Sequence, residues 1–113
     1  EAEQLYGFAY YTGTVSIIGI AAEEYCRYLI RKYNLTDVDK QYDRINKLAD
    51  NGKLTTQMKS TFHRIRAIRN DCMHYDDNFK NLSDAQLKAY ALEMVQLYKS
   101  CLSLSVILFQ YFR

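Results

Sequence analysis

The 113-residue chain has no proline, only four glycines and three cysteines, and a formal charge of just +2. Without proline, nothing obligatory interrupts a helix. Ala, Leu, Lys, Gln and Arg are frequent, and the apolar residues recur at intervals of three and four rather than two, so the chain is expected to be all-helical. Three widely separated cysteines with no Cys-x-x-Cys pair exclude a disulfide scaffold and a zinc module, and point to a reduced, cytoplasmic protein. Long hydrophobic runs are also missing. The uncharged stretches 6–22 and 100–112 are diluted by Gly, Ser, Thr and Tyr and fall short of about 20 apolar residues, so neither a membrane span nor a secretory signal is expected. Internal repeats, low-complexity tracts and glycine-rich phosphate loops are absent as well. What is present is 49% hydrophobic residues and eleven tyrosines, too apolar for intrinsic disorder and sufficient for the core of one domain spanning residues 1–113.

Local signals place four main helices. The first covers about residues 4–33, with a break expected at Thr12-Gly13, where Thr14 would cap a second segment. Gly19 falls mid-helix, where glycine costs about 0.5–1 kcal/mol relative to alanine, so the close approach of another backbone is expected there. Asn34 ends this region; Thr36, Asp37 and Asp39 open the next helix, whose core stripe reads Tyr42, Ile45, Leu48 and Ala49. Asn51-Gly52 closes it, both residues tolerating positive φ. Thr55 caps a third helix that reaches about His74 or Tyr75, followed by a polar turn over 75–78. Ser83 and Gln86 then form a capping box for the last helix. Short connections suggest an antiparallel bundle of four to five helices. The last helix carries no charge from Ser100 to Gln110, and such a helix needs burial on several sides, which suggests a homodimer or a larger parent protein.

The nearly balanced charge is unevenly spread. Between Lys53 and Tyr75, five basic residues face the single carboxylate of Asp71, a net of +4, which leaves −2 for the remainder. At about 100° per residue, Lys59, His63, Arg66, Asn70 and His74 fall within a stripe roughly 80° wide that no carboxylate interrupts. Ile65, Ile68 and Cys72 lie roughly opposite. Such a stripe is commonly only a solvated face, but one that is cationic and carries histidine and asparagine suits a phosphate-bearing partner.

The segment His63 to Tyr75, HRIRAIRNDCMHY, contains Arg69-Asn70-Asp71-Cys72-Met73-His74. This resembles the Arg-x-x-x-x-His signature of the HEPN superfamily (higher eukaryotes and prokaryotes nucleotide-binding domains), with Asn70 as the polar residue that commonly follows the arginine. The likeness extends over most of the chain, through Ala21 to Glu24 in the first helical region, Leu48 to Leu54 at the end of the middle helix, and the long final helix. It is greatest to HEPN-like domains found alone or attached to restriction-enzyme subunits. The mannitol operon repressor family shares a similar Ile-Arg-Asn-x-x-x-His stretch.

This resemblance implies a metal-independent endoribonuclease serving in defence or a toxin-antitoxin system, with two motifs lining one cleft of a homodimer. In that chemistry His74 moves the proton of the ribose 2′-hydroxyl or of the leaving 5′-oxygen. Arg69 holds phosphate oxygens, and Asn70 orients the histidine or binds substrate. Lys59, His63 and Arg66 are the candidates for binding RNA phosphates. Arg69 and His74 lie about 140° apart on a regular helix, so either the helix unwinds, or Arg69 curls around it, or a second copy completes the site. The last arrangement also gives the final helix a partner. A toxin branch of the superfamily has a modified tyrosine two places after the histidine. Here Tyr75 follows His74 directly, so that regulation is not carried over.

Structural roles compete for the same residues. Arg69 could pair with Glu23 or Glu24 to fix the bundle's register, and His74 could serve as a helix C-cap. Cys26, Cys72 and Cys101 read as small core hydrophobes, and Tyr6, Tyr10, Tyr11, Tyr25, Tyr28 and Tyr33 as core-edge packing. The two histidines alone cannot build a zinc site, and no metal or cofactor is expected. The alternative function is a non-catalytic dimerisation or regulatory module of a restriction or transcription-repressor protein. A DNA-binding repressor would need a helix-turn-helix, and the sequence shows no clear one apart from the motif helix itself. The expected partners are RNA, a second copy of the chain, and a cognate antitoxin or parent protein.

Overall fold

The computed structural model describes residues 2–73 and 83–111, with side chains placed over 10–72, at 83 and over 85–101. These residues form an all-α bundle of four helices: α1 (Ala2–Lys32), α2 (Gln41–Asp50), α3 (Thr56–Met73) and α4 (Asp84–Tyr111). Helix α1 packs against all three others. Its buried Val15, Ile18, Ala22, Cys26, Leu29 and Ile30 follow the three-four spacing of one helical face. Met58, Phe62, Ile65, Ile68 and Cys72 of α3 and Leu87, Ala91 and Met94 of α4 close the core against it. Helix α3 runs against the other three. Gly19 and Glu23 meet Arg69 while Tyr25 stacks on Phe62, Tyr42 meets Arg66 while Asn46 meets His63, and Glu93 meets Arg64 while Tyr90 lies by Asp71. Among the described residues no helix is long and apolar enough to cross a membrane.

The helix ends follow from local chemistry. Asn34, at φ 55°, ends α1 with the Leu35 amide donating to Ile30 O and the Asn34 amide to Arg31 O. Gly52, at φ 72°, ends α2 with the same pair of bonds, Lys53 to Leu48 and Gly52 to Ala49. Both are Schellman turns. Gly52→Ala therefore forces a Cβ into the left-handed region, and is expected to lower unfolding free energy by about 1 kcal/mol in urea titration. Thr55 Oγ1 accepts from the Met58 amide at 3.1 Å, capping α3. Ser83 and Gln86 exchange reciprocal bonds of 2.8 and 3.2 Å, a capping box that starts α4.

Several expectations are corrected. Helix α1 runs unbroken through Thr12-Gly13, and the Thr14 hydroxyl donates back to Tyr10 O at 2.9 Å instead of capping a new segment. Directly after Gly13, residues 15–30 bury a continuous apolar face, and a single glycine does not stop a helix so anchored. Helix α2 begins at Gln41, after Thr36, Asp37 and Asp39, because the Asp37 carboxylate is taken by its neighbour's amide at Val38 and by Arg44. Of the expected core stripe, Ile45 and Leu48 are fully buried and Ala49 packs against them, but Tyr42 is 51% exposed and Arg44, 2% exposed, takes the remaining buried place. Asn51 has φ −90°, so Gly52 alone supplies the left-handed residue. Among the tyrosines, Tyr11 and Tyr25 pack against the core, while Tyr10, Tyr28 and Tyr33 are largely exposed. Cys26, Cys72 and Cys101 are free and buried, and burial pushes each thiol up to about 11. The side chains of the uncharged stretch expected to meet a second copy lie outside the described residues beyond Cys101, as does the polar turn over 75–78.

Candidate nucleic-acid interface

Helix α3 presents its apolar side to the core and its cationic side to a cleft of about 280 Å³. Gly19 and Ala22 of α1 form one wall, and Phe62 and Ile65 give an apolar floor. Lys40, Gln41 and Tyr42, at the start of α2, form the opposite wall, and Arg66, Arg69 and Asn70 complete the rim. Three of the residues expected from the sequence, Arg66, Arg69 and Asn70, thus share one cleft. His63 lies one turn away, its ring 5.1 Å from that of Tyr42. Lys59 is half-buried further along the same stripe and does not line the cleft. His74 lies outside the described residues.

Arg69 is held from α1. Its Nη1 donates to Glu23 Oε2 at 2.9 Å, and the other oxygen of Glu23 accepts from Arg27 at 2.7 Å. Arg27 also binds Glu24 at 2.7 Å. Of the two carboxylates weighed for Arg69, Glu23 is its partner and Glu24 is taken by Arg27. The stem of Arg69 passes directly over Gly19: a Cβ built at that glycine would sit 2.4 Å from Arg69 Cδ. The close neighbour expected at Gly19 is therefore an arginine side chain, not a second backbone. Arg69 stays 36% exposed, so the pair with Glu23 is solvent-screened, and it uses only Nη1 of the guanidinium.

Arg66 has no such partner. Among the described residues no carboxylate pairs with it, its Nε is buried without a hydrogen bond, and its guanidinium carbon lies 5.1 Å from the centre of the Tyr42 ring. A guanidinium over an aromatic face keeps its full charge. His63 is in a related position. Its Nε2 meets Asn46 Oδ1 at 2.9 Å, and an amide oxygen only accepts, so Nε2 carries the proton and the buried, unpartnered Nδ1 is a bare lone pair.

Burial lowers the pKa of His63 from its usual 6.5, and the charges of Arg66 and Lys59 lower it further, so the ring is neutral at pH 7. A depressed histidine contributes stability that is complete above pH 6.5 and is lost as pH falls through the lowered value. Arg66→Gln removes one of the two opposing cations. In that variant His63 is expected to titrate higher, yet still below the usual value, because burial remains; imidazole proton shifts against pH measure this. An anion bound in the cleft should shift it the same way.

A second groove, about 370 Å³, separates α1, α3 and α4 around Tyr25, Phe62, Tyr98 and Cys101. Among the described residues its only charged lining residue is Glu24, which makes it unsuited to phosphate. Among the described residues no cluster of three or more His, Cys, Asp or Glu is placed to hold a metal ion.

The sequence missed Lys40, Gln41 and Tyr42. Only the start of α2, which the acidic residues before it obscured, would have moved Tyr42 from the core list to the cleft. A family model described as a domain of unknown function (DUF4145) matches residues 1–106. Neither the curated proteins nor the solved structures contain a significant match.

Proposed function

With residues 1–106 matched, the chain belongs to the DUF4145 family, and we propose that it is an RNA-binding domain of HEPN type that cleaves its substrate without metal. The observation that carries this reading is Arg66, with which no carboxylate pairs among the described residues, beside Arg69 and Asn70 in a cleft with an apolar floor and an aromatic wall. Guanidinium forks suit phosphate oxygens, and the cationic charge of Arg66 attracts a polyanion.

In the reaction, the ribose 2′-oxygen attacks the adjacent phosphorus while its proton passes to a base. The bond to the 5′-oxygen breaks, and that oxygen takes a proton from an acid. The products are a 2′,3′-cyclic phosphate and a free 5′-hydroxyl. His74, whose role comes from the HEPN resemblance, moves these protons. Arg69 stabilises the charge developing on the phosphoryl oxygens, and Asn70 orients the reacting groups. A second copy of the chain brings the two motifs together over one phosphodiester. DNA, which lacks the 2′-hydroxyl, remains uncut.

The ion pair between Arg69 and Glu23 supports a second reading, in which Arg69 fixes the register of α1 and α3 and the domain serves as a non-catalytic regulatory or assembly module. A nuclease assay in EDTA separates the two. Wild type is expected to cut structured RNA and leave cyclic phosphate ends, and Arg69→Ala and His74→Ala each to abolish cutting while retaining helical content. Equal residual cleavage in both variants, or none in wild type, rejects the catalytic reading.

A further inference from the structure

We propose that Tyr42 is a stacking platform for one unpaired nucleobase, so that the cleft takes an extruded or single-stranded nucleotide rather than a duplex. The inference rests on the RNA-binding reading and adds to it the strandedness of the ligand and the residue that grips its base.

The argument starts from a misplaced aromatic. Tyr42 sits in the first turn of an amphipathic helix, yet half of its surface is exposed while the neighbouring Arg44 is buried. Tyr42 lies against Arg66 and His63, each 5.1 Å away, and on the wall of the cleft that holds Arg69 and Asn70. An exposed ring backed by a guanidinium and a neutral imidazole offers a π surface to a base, and the cation beneath strengthens the stack. The adjoining rim carries the cations a phosphate needs, so base and phosphate of a single nucleotide can be held side by side. Size points the same way. A cleft of about 280 Å³ lies just below the usual range of ligand sites, a size that suits one nucleotide at most. A base pair, stacked on both sides within a helix, cannot present a face to Tyr42.

The chain has no tryptophan, so Tyr42→Trp places one fluorophore at the platform. This variant is titrated with a short single-stranded oligoribonucleotide, with the same strand annealed to its complement, and with a strand in which one nucleotide is abasic. The single strand is expected to quench the indole emission and the duplex to leave it unchanged. Tyr42→Ala should weaken single-strand binding about tenfold and Tyr42→Phe leave it intact, with helical content and melting checked for each. The abasic strand should bind wild type and Tyr42→Ala more nearly alike. Single-strand binding without quenching, and equal in Tyr42→Ala, overturns the platform and leaves the RNA reading standing. Equal quenching by duplex overturns the strandedness. Absence of binding by every RNA defeats the RNA reading and the platform with it.

Discussion

Gly19→Ala is expected to reduce RNA binding and cleavage by about ten- to a hundredfold while changing global stability by no more than about 1 kcal/mol. The two effects separate because they have different causes. In α1 the substitution improves helix propensity by about 1 kcal/mol, since glycine is the most flexible residue a helix can hold. Its methyl group, however, would sit 2.4 Å from Arg69 Cδ. The stem cannot swing aside freely, since the guanidinium is tied to Glu23 at 2.9 Å. Arg69 must therefore leave its place over α1, which loses a screened ion pair of small net value but moves the charge out of the cleft. Circular dichroism melting and an RNA titration on the same preparation read the two effects. A double-mutant cycle gives the sharper check. In an Arg69→Ala background the space above Gly19 is empty, and Gly19→Ala should then stabilise the fold by about 1 kcal/mol with no further loss of RNA binding. If Gly19→Ala instead leaves RNA affinity unchanged in the presence of Arg69, the guanidinium's position over α1 is not what the cleft uses.

The contrast between Gly19 and the helix ends shows what a sequence carries. Thr55 reaches an amide three residues on, and Ser83 and Gln86 satisfy one another, so both caps were legible: the partners are local and few. The same holds for Asn34, where the chain supplies a residue that tolerates positive φ. At Gly19 the cost of the glycine was visible but its neighbour was not, because Arg69 comes from fifty residues further along the chain. The cationic stripe on α3 followed from helical periodicity alone, and that periodicity correctly set Arg66 and Asn70 toward the cleft and Ile68 and Cys72 into the core, with Ile65 at the boundary as the cleft's floor. The opposite wall was hidden. Asp37 resembled a helix start, yet its oxygen is bound by Arg44 seven residues away, which delays the helix and turns Tyr42 outward. A charged side chain inside a helix face reads as solvent-exposed unless its acceptors are known, and here two of the three, on Asp37 and Val38, lie in the preceding loop.

That loop contact underlies the largest expected loss of stability. Arg44→Ala should lower unfolding free energy by about 3 kcal/mol, at the lower end for a disrupted buried pair because Asp37 itself stays half exposed and can be rehydrated. All three guanidinium nitrogens of Arg44 are used: Nε donates to Asp37 Oδ1 at 2.8 Å, Nη1 to Gln41 Oε1 at 2.7 Å and Nη2 to Val38 O at 2.7 Å. Alanine removes the charge and its stem and takes one donor from each of these acceptors, leaving Asp37 Oδ1 with the Val38 amide alone. Arg44→Met keeps most of the volume, so the difference between the two variants measures packing against hydrogen bonding. Acid provides an independent reading. The hydrogen bond from Arg44 holds Asp37 below its usual 3.8, so the pair contributes fully above that value and is lost as pH falls through the lowered one. The gap between wild type and Arg44→Met in urea titrations should narrow over the same interval, and a gap that stays constant there would mean that Asp37 adds nothing to the lock. Because the loop residues bound by Arg44 lead directly into Lys40, Gln41 and Tyr42, the same variants should also weaken RNA binding at sub-denaturing urea. The arginine that closes the loop thereby sets the wall on which a base would stack.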